Sequence, residues 1–350
     1  MRRFLLALAV AGWMGSATLL NADDTIQFRD RSAKPEKLAT VAGSISAETV
    51  NSVKIKPSVG AEREIPAGDI VEITYEVPGA VKITLSGAMK LEQQRGAGEA
   101  GRKALQDAAK DYQAVLKGLN EKYANAARHM QYKILSIQAT LATDKVQQLQ
   151  IADDFDKFRK AHSNAWQLLS AVRQQALLLM NCDKFDEAAK VFDETSKNPA
   201  LSKETRQEVE LAAIDALMRA QKYADVQKRI ESAIATLAPN DPQAVKMKIY
   251  QIGCQAKNAD MTKVEPQLKD IIEKSADPNL RALAYNTLGD CYYANGLKKD
   301  AEWAYLWVDV VYNQDRSEHL KSLERLVKVF KDLNDEELAR KYEDKLARLR

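Results

Sequence analysis

The sequence predicts a mainly α-helical protein, in which an α-solenoid of stacked helix pairs follows a small antiparallel β-sheet or barrel. Apolar residues recur with a period of two from Thr25 to about Val77, as in half-buried strands, and with a period of about 3.6 from Lys103 onwards, as in amphipathic helices. Within the helical part, one pattern of small and aromatic residues recurs every 37 or 38 residues. Such a period is typical of helical repeats, which stack because each pair leaves an apolar face uncovered.

The composition agrees with a folded, helix-rich chain. Of the 350 residues, 45% are hydrophobic and 29% are charged, and only 14 are glycine and 9 proline. The formal net charge is +3, and acidic and basic residues are interspersed along the chain. Because this pattern offers no basic patch, we expect no nucleic-acid partner.

Residues 1–22 have the order of a secretory signal peptide. Arg2 and Arg3 precede the apolar run FLLALAVAGWMG, which small residues and the polar segment NADDT follow. The run is short for a membrane span. We expect cleavage near Ala22, with Ala17 as the alternative site and an uncleaved anchor as the alternative outcome. If the signal peptide is cleaved, we expect an exported protein, either periplasmic or secreted, that has no stable membrane span.

A small β domain is predicted over residues 23–77. The segments TIQFRD, KLATVAGSISAE, TVNSVKIK and REIPAGDIVEITYE alternate apolar and polar residues and are bounded by glycine and proline. Their order resembles small SH3-like or Sm-like barrels. A closed barrel and an open meander packed on the first helices are both compatible with these segments.

Residues 78–102 are predicted to be a junction. VKITL suggests one more strand, SGAMKLEQQ a short helix and RGAGEAGR a flexible linker. The linker contains Gly-x-Gly-x-x-Gly at Gly96, Gly98 and Gly101, but no strand precedes it and no βαβ unit surrounds it, so we do not interpret it as a dinucleotide site. A helical pair over 103–165 is expected to lead into the solenoid.

The repeat itself is predicted over residues 166–350. Small or β-branched residues recur at one position of five successive units, with separations of 38, 38, 37 and 38 residues. These residues are Ala188, Val226, Val264, Ala301 and Ala339.

The clearest unit is Ala284–Asp315, which resembles the tetratricopeptide repeat, Trp-x2-Leu-Gly-x2-Tyr followed by Ala-x3-Phe and Pro. Two residues depart from that pattern, Tyr285 in place of Trp and Asn313 near the place of Pro. The resemblance implies a right-handed solenoid of an exported bacterial protein, with a non-catalytic role as a scaffold that binds proteins or peptides on its concave face. The matching residues are Leu288, Gly289, Tyr292, Ala301 and Tyr305.

The resemblance also implies which side chains line that concave groove. In this family the first helix of each unit contributes to it, and residues off the packing positions of that helix are candidates for partner binding. The candidates from the clearest unit are Asn286, Asp290 and Tyr293, and those from earlier units are Arg173, Asp215 and Arg219.

Residue patterns that support catalysis or metal binding are missing. The sequence has no P-loop, no Gly-x-Ser-x-Gly and no closely spaced pair of histidines. The acidic segment IADDFDKF lacks the glycine turn and distal glutamate of a calcium loop. Cysteine occurs three times, at Cys182, Cys254 and Cys291, a number and spacing that predict buried free thiols, although one bridge between repeats stays possible. We therefore expect no enzyme, cofactor or metal.

Three other functions remain as alternatives to a protein-binding scaffold. One is a module that binds cell-wall glycan or another polymer, for which an exposed row of aromatic side chains would be the mark. Another is an enzyme whose site lies between the sheet and the first helices, where two titratable groups would have to converge. The last is a structural envelope protein that assembles with itself through the solenoid ends. The sequence leaves the partner and the oligomeric state open.

Overall fold

A computed structural model of the protein describes residues 24–31, 37–94, 96, 98–235, 237–238, 241–256 and 259–349. These residues form five strands and fourteen α-helices, so the predicted mainly α fold preceded by a small β domain is confirmed. Contacts divide the chain into two compact units, Met1–Leu141 with Asn164–Gln167, and Ala142–Ser163 with Leu168–Arg350. The predicted signal peptide lies outside the described residues.

The first unit contains one antiparallel sheet with the strand order β4-β3-β2-β1-β5. Among the described residues, no strand pairing joins the outer strands β4 and β5, so the sheet is open there. The strands are β1 (Asp24–Asp30), β2 (Lys37–Glu48), β3 (Ser52–Lys56), β4 (Arg63–Pro66) and β5 (Ile70–Thr74).

One face of this sheet forms the core of the unit. Alternate residues such as Ile26, Val53 and Ile73 are completely or almost completely buried, as the period of two requires. Strand β2 carries a bulge between Ile45 and Ala47. At Gly43 the backbone of β3 comes so close that an added Cβ would lie 2.3 Å from the Lys56 carbonyl oxygen. Glycine is needed there because no side chain fits.

Three helices cover the sheet: α1 (Gly79–Gln93), α2 (Glu99–Lys117) and α3 (Ala124–Leu141). The stretch VKITL, for which the sequence suggested a strand, lies inside α1. This stretch is helical because Val81, Leu85 and Ala88 are spaced to lie on one side of a helix, where all three pack into the core. Because a helix precedes Gly96 and Gly98, the glycine motif is not in the strand-to-helix setting of a dinucleotide site.

The second unit is a helical-repeat-like array in which consecutive helices pack on each other. The second helices of five successive pairs begin at Phe185, Tyr223, Met261, Lys298 and Glu336, and these starts repeat the intervals of 38, 38, 37 and 38 residues found in the sequence. The helices are α4 (Lys145–Ala161), α5 (Leu168–Asn181), α6 (Phe185–Ser196), α7 (Lys203–Arg219), α8 (Tyr223–Ala235), α9 (Pro242–Cys254), α10 (Met261–Lys274), α11 (Pro278–Ala294), α12 (Lys298–Val310), α13 (Arg316–Asp332) and α14 (Glu336–Leu349).

The turn inside a pair repeats as well. Asp183, Gln221, Gly296 and Asn334 occupy the turns of four pairs with positive φ angles of 63°, 58°, 79° and 59°. A left-handed residue there reverses the chain in few residues, which glycine does without strain and the other three do at some cost. In the part of the chain that is described, no helix is both long and apolar enough to cross a bilayer.

Close packing inside the clearest pair depends on Gly289. A Cβ on this residue would lie 2.5 Å from Cε1 of Tyr305, a ring that is completely buried between α11 and α12. Gly253 occupies a comparable place on α9, but there a Cβ would lie 3.5 Å from its nearest neighbours, Met218 and Thr287. One glycine is thus required by packing and the other is not.

We expect Gly289→Ala to lower the free energy of unfolding by about 1–3 kcal/mol, because the methyl group overpacks against Tyr305. The matched variant Gly253→Ala should leave stability unchanged or raise it by about 0.5–1 kcal/mol, since alanine favours the helix. Urea unfolding followed by circular dichroism measures both. Equal effects of the two substitutions would contradict the packing described here.

Candidate functional site

The candidate site on the helical unit centres on Asp290 of α11. Its Oδ1 accepts hydrogen bonds from Nε of Arg325 and from the hydroxyl of Tyr305, both at 2.8 Å, and Nζ of Lys321 lies 3.4 Å from Oδ2. Burial acts to raise the pKa of Asp290, but the two cations and the hydrogen bonds outweigh it, so the pKa lies below its ordinary value. The ionised carboxylate therefore fixes two cations of α13 that each stay about one-third exposed.

Tyr293 lies one turn further along α11. Its hydroxyl donates a hydrogen bond to Asp332, and Nζ of the exposed Lys328 lies 4.7 Å from the centre of its ring. Burial, together with the bond to Asp332, raises the pKa of Tyr293 to about 12, so the phenol stays protonated at neutral pH. Tyr293 and Lys328 thus form an ordered, accessible pair beside Asp290.

Asn286 differs from the exposed position expected of a groove residue. Its side chain is completely buried, and its Nδ2 donates to the carbonyl oxygen of Glu318 at 2.9 Å and to Oε2 of Glu318 at 2.8 Å. The reason is the close contact between α11 and α13, which covers this face of α11. Asn286 therefore fastens two helices together and does not face a ligand.

The candidates from the earlier repeats occupy similar positions two or three units before α11. Arg173 on α5 forms an exposed ion pair with Glu208 on α7. Asp215 on α7 forms a half-buried ion pair with Lys246 on α9 at 2.5 Å. Arg219, at the end of α7, is exposed. These three do not join the group on α11. Most of the six candidates instead share one property: each links the first helix of its pair to the first helix of the next.

Groups that could hold a metal or act as nucleophiles are not assembled at this face. Among the described residues, no three His, Cys, Asp or Glu side chains are placed to bind a metal ion. All three cysteines are free. Burial raises the pKa of Cys254 to about 11 and that of Cys291 to about 12, so neither is a thiolate at neutral pH.

A second group of titratable residues, which the sequence did not reveal, lies between the sheet and the helices of the first unit. Glu72 of β5 accepts from His129 at 2.8 Å and also binds Lys133, whose Nζ lies 3.1 Å from both carboxylate oxygens of Glu92. Tyr112 donates to Glu92 at 2.6 Å. These contacts connect β5, α1, α2 and α3 through one chain of charged hydrogen bonds.

The chain continues through residues 164–167, which belong to the same unit. Gln167 lies 3.5 Å from Nδ1 of His129 and accepts from Arg128 at 3.2 Å, and Arg128 also forms an ion pair with the buried Glu48 of β2. Next to it, the indole of Trp166 donates to the hydroxyl of Tyr75 at 2.9 Å. The sheet and its helices are thus joined by buried polar contacts as well as by the apolar core.

The protonation states follow from these contacts. Burial acts to raise the pKa of Glu72, but the hydrogen bonds from His129 and Lys133 and the positive charge of Lys133 outweigh it and lower the pKa to about 2. Burial lowers the pKa of His129, an effect that Glu72 partly offsets, and burial raises the pKa of Glu48 against the opposing charge of Arg128. Glu72 and Lys133 are therefore charged, while His129 is neutral at pH 7.

This second group meets one condition set for an enzyme, because titratable side chains converge between the sheet and the first helices. However, the cavity beside Glu72, His129 and Lys133 measures about 10 Å³, which holds at most a single water molecule. The carboxylates of Glu72 and Glu92 are bound by neighbouring side chains. The arrangement therefore serves the stability of the unit and leaves no room for a substrate.

Comparisons with known proteins add little. No protein-family model matches the sequence, and no curated protein matches it significantly. Among solved structures, the chain is similar to the crystal structure of BtubC (BKLC) from P. vanneervenii, with 15% sequence identity and a TM-score of 0.38 over 59% of this chain and 91% of that one. A similarity at this level supports no inference about function.

We expect Glu72→Gln to weaken the acid sensitivity of the first unit. The folded pKa of about 2 lies below the ordinary value of 4.5, so ionised Glu72 stabilises the fold above pH 4.5 and loses this effect as the pH falls from 4.5 to 2. The stabilisation at stake is on the order of 3 kcal/mol. His129 acts in the same direction, because below its ordinary pKa of 6.5 it is protonated in the unfolded chain more readily than in the fold, which also lowers stability as the pH falls.

Urea unfolding of residues 23–350 between pH 7 and 3, followed by Trp166 fluorescence with Trp303 and Trp307 replaced by Phe, measures this dependence. The variant should be less stable than the parent at pH 7 and show a flatter decline below pH 4.5. Glu64→Gln, which changes an exposed carboxylate of the same sheet, should leave the profile unchanged. A profile for Glu72→Gln that runs parallel to the parent would contradict the assigned ionisation.

Proposed function

We propose that the protein is a non-catalytic scaffold of the cell envelope, which binds a protein or peptide through the face formed by α11 and α13. The supporting observation is the set of side chains that contacts between these helices already hold in place. Lys321, Arg325 and Lys328 follow one another along α13 at intervals of four and three residues, so they lie on one side of the helix.

The free donors of this face determine which partner groups it suits. An arginine side chain has five N–H donors, and the hydrogen bond from Arg325 to Asp290 uses only Nε, while Lys328 is exposed. Carbonyl and carboxylate oxygens of a peptide are matching acceptors. Tyr293 adds a flat ring surface of the kind that often dominates binding energy in protein interfaces.

Preorganisation is the physical advantage of this arrangement. Ordering a flexible side chain costs about 0.5–1.5 kcal/mol on binding. Arg325 and Tyr293 are held by Asp290 and Asp332 before any partner arrives, so most of that cost falls on folding instead. The resemblance to tetratricopeptide repeats, which bind extended segments on first helices, is consistent with this use of α11 and α13. Export, as the N-terminal sequence predicts, would place the scaffold in the periplasm or outside the cell.

Affinity capture with the mature chain from its own envelope fraction tests the proposal when it is combined with variants of the face. Lys328→Glu reverses an exposed charge and Tyr293→Ala removes the ring. We expect each to weaken binding of the captured partner, once purified, by about ten-fold. The matched control is Lys341→Glu, which reverses an exposed charge on α14 of the same unit.

The control should bind as tightly as the parent, and all variants should retain the helical circular dichroism of the parent. A partner whose affinity is unchanged by both Lys328→Glu and Tyr293→Ala would contradict binding at this face.

A further inference from the structure

Helix α12 carries an apolar face that points to solvent. Trp303 is 65% exposed, Trp307 is 45% exposed and Val310 is 69% exposed. Their spacing of four and three residues places them along one side of the helix, and Val311, also exposed, follows directly. Large apolar side chains on one exposed stripe usually mark a binding surface.

Packing within the unit does not explain this stripe. The side of α12 that packs into the repeat is formed by other residues, among them Ala301, Tyr305 and Val308, which are completely buried. The helix is therefore apolar on two sides. On the second side Trp303 and Val310 stay largely exposed, and Trp307 is only partly covered.

Neighbouring aromatic side chains hold part of the stripe in a fixed orientation. The ring of Tyr285 lies 5.7 Å from that of Trp307 with planes 15° apart, and 5.6 Å from that of Tyr312 with planes 22° apart. Trp307 and Tyr312 are 6.4 Å apart. We name these three residues together with Trp303 the aromatic surface. The planes of Trp307 and Tyr312 are 32° apart, so Tyr285 is nearly parallel to each of its neighbours while those two are tilted against each other.

Arg281 is the charged residue that touches the aromatic surface: its guanidinium lies 5.7 Å from the centre of the Tyr312 ring and donates to the Tyr312 hydroxyl at 3.3 Å. The acidic residues nearby are paired. Glu302, the acidic residue next to Trp303, is paired with Lys299 at 3.0 Å. Asp309 is buried and paired with Lys345 and His319. The residues that follow Tyr312 are Asn313 and Gln314, whose amides are uncharged. A partner rich in hydroxyl groups complements such a surface, because a hydroxyl group can accept from a guanidinium and can donate to an amide oxygen.

The size of the surface argues against a second copy of the chain. A fully buried Trp contributes about 150–250 Å², so a patch built on two half-exposed indoles and a valine amounts to a few hundred Å². A stable interface between two proteins needs about 800 Å² from each partner. An extended ligand with small, flat units requires much less.

We propose that the aromatic surface of α12 binds a neutral, β-linked polysaccharide. The indoles of Trp303 and Trp307 are one helical turn apart, about 5.4 Å along the axis, so that each can stack on the C–H face of a different sugar unit. Tyr312, Asn313 and Gln314 lie at one end. The Tyr312 hydroxyl accepts from Arg281, and both amide nitrogens donate to backbone carbonyl oxygens, so sugar hydroxyls would donate to the amide oxygens and accept from the Tyr312 hydroxyl. The two indoles lie on a different helix from Tyr293 of α11 and the cations of α13, and the site goes beyond the proposed scaffold function.

Titration calorimetry of the mature chain with β-1,4-linked hexaoses of glucose and of N-acetylglucosamine tests the proposal. We expect at least one of the two to bind. Trp303→Ala and Trp307→Ala should each weaken that binding by about ten-fold, and Trp303→Ala should leave the melting temperature unchanged because its indole is mostly exposed. Val146→Ala, which alters an exposed apolar residue on α4 of the same unit, is the matched control and should bind like the parent.

Several results would overturn the proposal. One is the failure of both hexaoses to bind, and another is binding that Trp303→Ala leaves intact. Sedimentation that reveals a dimer lost in Trp303→Ala would assign the surface to a second copy, and flotation with phosphatidylcholine vesicles lost in the same variant would assign it to lipid. Lys328→Glu should not affect hexaose binding, and Trp303→Ala is the variant that should weaken it. The polysaccharide proposal and the scaffold proposal can therefore fail independently of each other.

Discussion

In the last repeats of the helical unit, the exposed face depends on the contact between the first helices of consecutive pairs, α9, α11 and α13. A single pair buries one side of each helix and leaves another apolar side exposed, so a neighbour is required for stability. Between α11 and α13 this contact includes the buried amide of Asn286 bound to Glu318 and the carboxylate of Asp290 bound to Arg325. Because these bonds are directional, they determine which turn of α13 lies opposite each turn of α11, which apolar contacts alone would not. The register of the array and the layout of its exposed side chains thus have a common origin.

The same bonds determine what the face offers to a partner. Asp290 forms ion pairs with Arg325 and Lys321 and so reduces the net positive charge of the face. The face therefore offers a partner oriented N–H donors and only a small net positive charge. The first unit uses buried polar contacts differently. There Glu72, His129 and Lys133 lie where helices meet the sheet and are largely buried, and their contacts predict that the stability of the unit depends on pH. Buried charge alone is therefore a poor guide to function in this protein.

A contact can be predicted from the sequence when the two residues that form it lie close together along the chain. Local patterns predicted the sheet, the change to helices and the repeat interval, and they singled out Gly289 and Tyr305, which contact each other inside one pair. The prediction of a strand for VKITL was wrong. Its β-branched residues favour a strand, but their spacing also fits a helix, and only the contact with the sheet determines which side of that helix is buried. The bond between Glu72 and Lys133 spans 61 residues and has no local signal. For the same reason the burial of Asn286, which depends on Glu318, was not apparent from the spacing along α11.

The most direct test of this view is a double-mutant cycle between Asp290 and Arg325. Urea unfolding at about 0.15 M salt would be measured for the parent, Asp290→Asn, Arg325→Gln and the double variant. If the pair stabilises the packing of α11 on α13, the interaction free energy of the cycle should be about 1 kcal/mol or more. The reason is that the second substitution lowers the free energy of unfolding only a little once the first has removed the ion pair. Effects that add to within about 0.3 kcal/mol would show that the pair contributes nothing to the stacking, and would contradict a face ordered by bonds between first helices.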